Sequence, residues 1–361
     1  MFKSNHQLFF TFTLFITSTV FIGCNLFNKK EPLTESVGKA GNLVITSDSK
    51  TLATLKSDFD SAFLTPLVSL PSVIPFYELN TPDLETFSKF FYNQRNVLVV
   101  VLPENMKQMD ELLETFSSDS IELWTKSTEL TIRVRENILA KHQHLTFLFC
   151  NSSQNLKLQL VSQRERIVNI LLQAELKDEY VKLYGEDGMT SPYYKSFKEK
   201  YGVGVNIPKG FYVVKENDNF YWFQKDTTID GLAKSIGLIV HAYPSIDSSD
   251  FTYLKMRSMR DSFCKYNIAG SLKGTYMTTS ESSFYPARTF ELTTVNNLMA
   301  GKMRGWWTIK GMTMAGPFIR YVVQVPDKSS LFVFEGFIYQ ADLNTKERDL
   351  RIIEAIATTI K

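Results

Sequence analysis

The run Arg304-Gly-Trp-Trp-Thr-Ile-Lys-Gly-Met-Thr-Met-Ala-Gly-Pro-Phe318 is written for the middle of a β-sheet. Read with a period of two, it puts Arg304, Trp306, Thr308 and Lys310 on one face, with Met303, Trp307 and Ile309 on the other. The second set is apolar, so Trp307 is expected in a core. Trp306 stands among polar neighbours, which suits either a ring shielding a sheet edge or an anchor for a partner, since Trp is enriched in interface hot spots. Gly305, Gly311 and Gly316 punctuate the run, and isolated glycines in strand-like sequence mark bulges, bends or close backbone approach. Arg304, Trp306 and Lys310 are therefore the candidate partner-binding residues.

Outward from this run, residues 318–325 and 331–340 form a hairpin across the turn-rich 326–330. Upstream, strands are expected at 203–208, 211–215, 219–225, 235–243, 276–279 and 288–293. A helix capped by Asp247 or Ser249 runs to about Tyr266. The chain closes on a helix in which Asn344 and Glu347 resemble a capping box and Leu350, Ile353, Ile356, Ala357 and Ile360 form one stripe.

The first half follows a similar plan. Asn96-Val-Leu-Val-Val-Val-Leu102 is a continuous apolar, β-branched run, the pattern of a central strand covered on both faces. Short strands are expected at 42–46, 75–79, 121–126, 130–135 and 145–150, the fourth of which also reads as the start of a helix reaching Ala140. Helices are expected at 52–67, 84–91 (capped by Thr81 or Asp83), 106–116 and, longest of all, 154–184 with Gly185 as its C-cap. The fold class is thus α+β, mainly antiparallel sheets with packed helices, and the spacing allows two similar halves each ending in a helix. The segments are residues 1–23, a leader; 24–41, a polar tether; 42–185, the first half; and 186–361, the second.

The leader has Lys3 in a short positive region and an apolar stretch from Leu8 to Ile22, too short to span a bilayer comfortably. It ends Phe21-Ile22-Gly23-Cys24, a small residue before a cysteine as in a lipobox, with Phe21 where Leu is commonest. Cys24 is the expected lipidation site, and multi-chain acylation anchors strongly where one chain is marginal. The full chain carries 40 basic and 38 acidic side chains, so near-neutral charge gives no electrostatic case for nucleic acid. Cys150 and Cys264 could pair in an oxidising compartment, or stay free as buried thiols.

Catalytic and metal motifs do not emerge. His142 and His144 share a strand face without a third ligand at recognisable spacing. Ser47-Asp-Ser-Lys50 matches a two-residue pattern without its partner motifs. Gly38-Lys-Ala-Gly41 and Gly202-Val-Gly204 are not phosphate or dinucleotide loops, Glu186-Asp187 lacks a calcium ligand ladder, and Asp247 and Asp250 suit helix caps. His241 lies in an apolar strand with no nucleophile near in sequence. No catalytic residue, metal or cofactor is expected.

Several segments are similar to one family. They are Gly41-Asn-Leu-Val-Ile45, Leu70-Pro71 with Pro75-Phe76, Gln94-Arg-Asn-Val-Leu-Val-Val100, Ile207-Pro-Lys-Gly-Phe-Tyr212, Phe220-Tyr-Trp222, Gly237-Leu-Ile-Val-His-Ala-Tyr-Pro244, residues 257–261, Arg304-Gly-Trp-Trp307, Met314-Ala-Gly-Pro-Phe318 and Glu335-Gly-Phe-Ile-Tyr339. Together they resemble the Bacteroidota lipoprotein family of domain of unknown function 4837 over nearly the whole mature chain, with departures at Ala315 (glycine expected) and Trp306 (a smaller apolar residue expected). The resemblance implies an envelope lipoprotein and supplies no activity or catalytic residues. Surface-exported lipoproteins of that phylum typically carry acids directly after the cysteine. Here Asn25-Leu-Phe-Asn-Lys-Lys30 precedes the first acid, Glu31, which favours the outer membrane facing the periplasm.

The expected role is a non-enzymatic accessory or scaffold protein that binds an envelope protein partner through sheet edges and aromatics near Trp306. The alternative is a module binding an apolar or glycan ligand in an aromatic cleft between the halves. An unrecognised hydrolase is third.

Overall fold

The computed structural model describes residues 32–64, 77–229, 231–243, 251–282, 289–326, 328–340 and 346–361. Cys24, Leu70, Asp247, Ser249, Asp250 and Asn344 lie outside the described residues, as does the side chain of Glu347.

The first half comprises β1 (Asn42–Thr46), α1 (Ser49–Phe63), β2 (Glu78–Asn80), α2 (Leu84–Thr86) running into a π turn, β3 (Asn96–Val101), α3 (Asp110–Leu113), α4 (Ser118–Lys126), β4 (Thr131–Glu136), β5 (His144–Phe149), α5 (Ser153–Ser162) and α6 (Arg164–Tyr184). Its sheet has the order β2-β1-β3-β5-β4, with β4 antiparallel to β5 and the other pairings parallel. Every residue of β3 is buried, as its unbroken apolar run requires of a strand at the centre. Leu98, Val100, Ile45 and Leu148 face α1, α5 and α6 in one core. On the other face Phe116 and Trp124 pack on Phe147 and Phe149.

The second half comprises α7 (Pro192–Tyr201), β6 (Tyr212–Asn217), β7 (Phe220–Ile229), β8 (Leu232–Tyr243), α8 (Tyr253–Asn267), β9 (Tyr276–Thr279), β10 (Thr289–Val295), β11 (Leu298–Lys310), β12 (Ala315–Gln324), β13 (Leu331–Gln340) and α9 (Lys346–Ala357). All its strand pairings are antiparallel, in the order β10-β11-β12-β13-β8-β7-β6, with β9 beside the end of β11. One sheet face packs on α7 and α9, the other on α8. Gly336 permits the first contact, since a Cβ there would lie 2.3 Å from Ile353. The fold is α+β, and each half closes on a helix, α6 in the first and α9 in the second. The halves differ in strand order, so their likeness ends at that plan.

Several expectations change. Residues 121–126 lie in helix α4, because Ser117 accepts a bond from the Ser120 amide and caps the segment. The helix expected over 154–184 breaks at Gln163, whose φ of −106° and ψ of 8° separate α5 from α6. Residues 203–207 are buried but form no strand. They run beside the chain's end, with Gly204 and Lys361 exchanging backbone bonds and Thr359 Oγ1 accepting from the Asn206 amide. Helix α7 was not expected, although Pro192 at its first turn and Gly202 in the left-handed region at its end are its signals. The segment expected as tether is docked from Thr34 onward: the Ser36 amide donates to Lys141 O, and the Lys141 amide donates to Thr34 O.

Candidate functional site

The three nominated residues share a sheet face but not an environment. Trp306 is only 3% exposed, so it is a core residue and not a surface anchor. Arg304 and Lys302, from the same face of β11, both bind Glu354 of α9. Burial acts to lower the Arg304 value, but Glu354 beside it lifts it above the ordinary range. Burial likewise acts to raise Glu354, and Arg304 with Lys302 holds it below the carboxylate range. A helix laid over this face has thus consumed what the strand pattern offered as a binding surface. Only Lys310, beyond that helix at the strand's end, is exposed.

Helix α9 is a hub for charge. Asp349 binds Lys234 of β8 at 2.5 Å, Arg351 binds Glu175 of α6 at 2.6 Å, and Glu354 takes the β11 cations. Glu175 also accepts bonds from the Gly41 amide at 2.9 Å and Asn96 Nδ2 at 2.7 Å. Burial raises its pKa against the opposing pull of Arg351 and the Gly41 amide. One turn on, Asp178 binds His144 Nε2 at 2.8 Å and Arg95 at 3.5 Å. Where the alternative reading set an aromatic cleft between the halves, α6 packs on α9, with the Glu175–Arg351 pair at their contact.

A second buried network lies under α8. Glu335 accepts from Arg260 Nη2 at 2.7 Å and from Arg320 Nη1 at 2.8 Å, and all three side chains are essentially inaccessible. Arg260 also reaches Thr279, which donates to Asp261. His241 stacks on Phe263 at 3.9 Å, and its Nε2 has no hydrogen-bond partner among the described residues. Burial first, then the Arg320 charge, drives its pKa well below 6.5. Cys264 sits in the same apolar cluster, its thiol pushed up to about 12 by burial. The group is satisfied mostly internally and sealed from solvent, which is the condition of a structural network.

Cys150 and Cys264 are both free and buried, in the cores of different halves, so they do not pair. His142 lies in the turn before β5 while His144 is buried against Asp178, so the two do not converge. Among the described residues no cluster of three metal-ligating side chains occurs. Ser47 is buried and bonds Val100 O, while Asp48 caps α1, so the Ser-x-x-Lys match is local architecture.

Two grooves open among the described residues. One of about 740 Å³ runs between β4 and α6, with Val134, Ile170 and Ala174 in its walls and Glu136, Glu165, Arg166 and Lys177 around it. The other, about 420 Å³, lies at the β10–β11 and β12–β13 turns around Met299, Pro326 and Lys328. On the face of β4 away from the first groove, the Arg133 and Arg135 guanidiniums donate to the carbonyls of Ile132 and Val134 and stack on Trp124 and Phe116. Charged side chains on an edge strand oppose pairing with another chain, so this groove is open to side chains more than to an added strand.

Residues 191–359 match the family model described as Domain of unknown function (DUF4837). The DUF4837-like domain thus begins at α7 and runs almost to the chain's end. Residues 36–183 match a different model, Domain of unknown function (DUF8532). The resemblance read from the sequence is therefore confined to the second half, and the segments at 41–45, 70–76 and 94–100 fall under the other model or within it. No curated protein matches the chain. The Ran-binding protein Mog1p of Saccharomyces cerevisiae is 11% identical, with 45% of this chain and 91% of that chain covered and a TM-score of 0.29. A variant of protein Mog1 is also 11% identical, with 44% and 89% covered and a TM-score of 0.27. Scores at that level carry no argument about shape or partners. Among the described residues no helix is long and apolar enough to cross a membrane.

Proposed function

We propose that this chain is a lipid-anchored envelope protein with an accessory, non-enzymatic role, and that it grips a protein partner at the groove between β4 and α6. The observation that carries the partner site is the groove itself: about 740 Å³, with half-buried Val134, Ile170 and Ala174 between charged rims. Apolar walls inside a polar rim are the anatomy of a protein interface. The anchored part rests on the sequence: an apolar leader ending Gly23-Cys24, followed by basic rather than acidic residues. It implies a bacterial lipoprotein of Bacteroidota type, held at the outer membrane and facing the periplasm. Residues 1–23 are then the leader, and the two halves meet after Gly185, in the gap between the family matches.

The test places a photo-crosslinking residue at Gln173, in the groove, and a control at Lys195, exposed on α7. The expected result is one stoichiometric envelope protein crosslinked from 173 and absent from 195. Equal products from both positions would discard the groove as the partner site. Separately, Cys24→Ser should release the protein from alkali-washed membranes, and retention would end the lipoprotein reading.

A further inference from the structure

Lys310, the one nominated residue left on the surface, belongs to a patch that its own strand does not reveal. The last turn of α8 carries Lys265 and Tyr266, the following turn carries Leu272 and Lys273, and β9 opens on Tyr276 beside the end of β11. The Tyr276 ring lies 5.9 Å from Lys265 Nζ and 5.7 Å from Lys310 Nζ, and Lys265 is also 5.8 Å from the Tyr266 ring. Tyr266 is 77% exposed and Leu272 59%, so two large apolar surfaces stand in water, with Lys265 and Lys310 at the Tyr276 ring and exposed Lys273 next to Leu272 in the turn. Among the described residues none of these three lysines forms an ion pair. The acid one turn back, Asp261, is occupied by Thr279 and Arg257, and Arg257 also holds Glu281.

We propose that this patch is a docking face for an anionic lipid bilayer. Ammonium groups on long apolar stems reach headgroup phosphates while tyrosine rings and an aliphatic side chain enter the interfacial layer. A face for an acidic protein would not call for Tyr266 and Leu272 to stand so far into solvent beside the cations. The proposal draws on the anchored reading only for what brings the patch to a bilayer.

The test uses the full chain carrying Cys24→Ser and sediments it with phosphatidylcholine vesicles, with and without phosphatidylglycerol. Binding should be stronger to the anionic vesicles and should weaken with salt. Lys265→Gln, Lys273→Gln and Lys310→Gln together should reduce it on the order of a hundredfold, from roughly fivefold per lysine near an anionic surface. Tyr266→Ser with Leu272→Ser should weaken it further at high salt, where the apolar contribution remains. Thermal melts of both variants should match the parent, since all five side chains are at the surface. Equal binding to both vesicle types, or no effect of the lysine changes, overturns the proposal. So does binding to soluble polyglutamate in preference to vesicles, which would mark an acidic protein as the partner. Failure of the anchored reading would show instead as unchanged cell fractionation of Cys24→Ser, with the vesicle result unaffected.

Discussion

Glu175 of α6 and Arg351 of α9 meet at 2.6 Å with almost no solvent access, and their contact lies where the closing helices of the two halves pack. A buried pair of this kind seldom gains much net stability, because desolvating two charges offsets most of their attraction. Breaking it is another matter, since the survivor is left buried and uncompensated. The bond from the Gly41 amide ties the start of β1 to the same carboxylate, so one group joins three segments.

Arg351→Met should therefore cost about 3–5 kcal/mol, read from urea unfolding of the full chain. Glu175→Leu combined with Arg351→Met should cost clearly less than the two single changes added together. Additive losses would show that the two residues act independently and that the joint between the halves lies elsewhere.

Trp306→Ala should lower stability by about 3–5 kcal/mol, as expected for truncating a large buried ring. The same change at a surface anchor would leave the melting temperature nearly unchanged. Differential scanning calorimetry separates the two outcomes.

The state of His241 makes stability depend on pH in a definite direction. Its folded pKa is depressed, so the unfolded chain binds this proton first, near pH 6.5. The stability is fully present above that value and is lost as pH falls toward the folded pKa, at up to about 1.4 kcal/mol per pH unit. His241→Phe, which keeps a ring on Phe263, should flatten the slope below pH 6.5 relative to the parent. An unchanged slope would assign the dependence to other groups.

Both thiols should resist a maleimide in the folded protein and react only on denaturation. Burial raises the values of Cys150 and Cys264 and removes access, and both limit thiolate chemistry. Reductant should leave the melting temperature unchanged. A drop on reduction would point to a disulfide.

Much of the fold was legible from pattern. The β3 run gave its own central position, and the β12–β13 hairpin and the strand at 276–279 follow from alternation and turn residues. Residues 121–126 misled because a short apolar run has no period of its own, and the deciding cap, Ser117, stands outside it. Helix α7 was missed for the opposite reason: it is polar, burying only Phe197 and Tyr201, while its Pro and Gly end signals were in view. The candidate site fared worse. Arg304 and Trp306 were placed correctly on one face of β11, but a strand pattern does not say what covers that face.

By itself the sequence determined the α+β class, the central strand of the first sheet, the antiparallel run of the second and the apolar stripe of the closing helix. These depend on period and local backbone preference, which neighbouring residues carry. Tertiary structure alone decided that α9 lies over Arg304, that Trp306 is buried, that Glu175 finds Arg351, and that Lys265 and Lys310 flank Tyr276. Most of those pairings join residues far apart in the chain, and charged side chains carry no mark of the partner that will bury them or leave them in water.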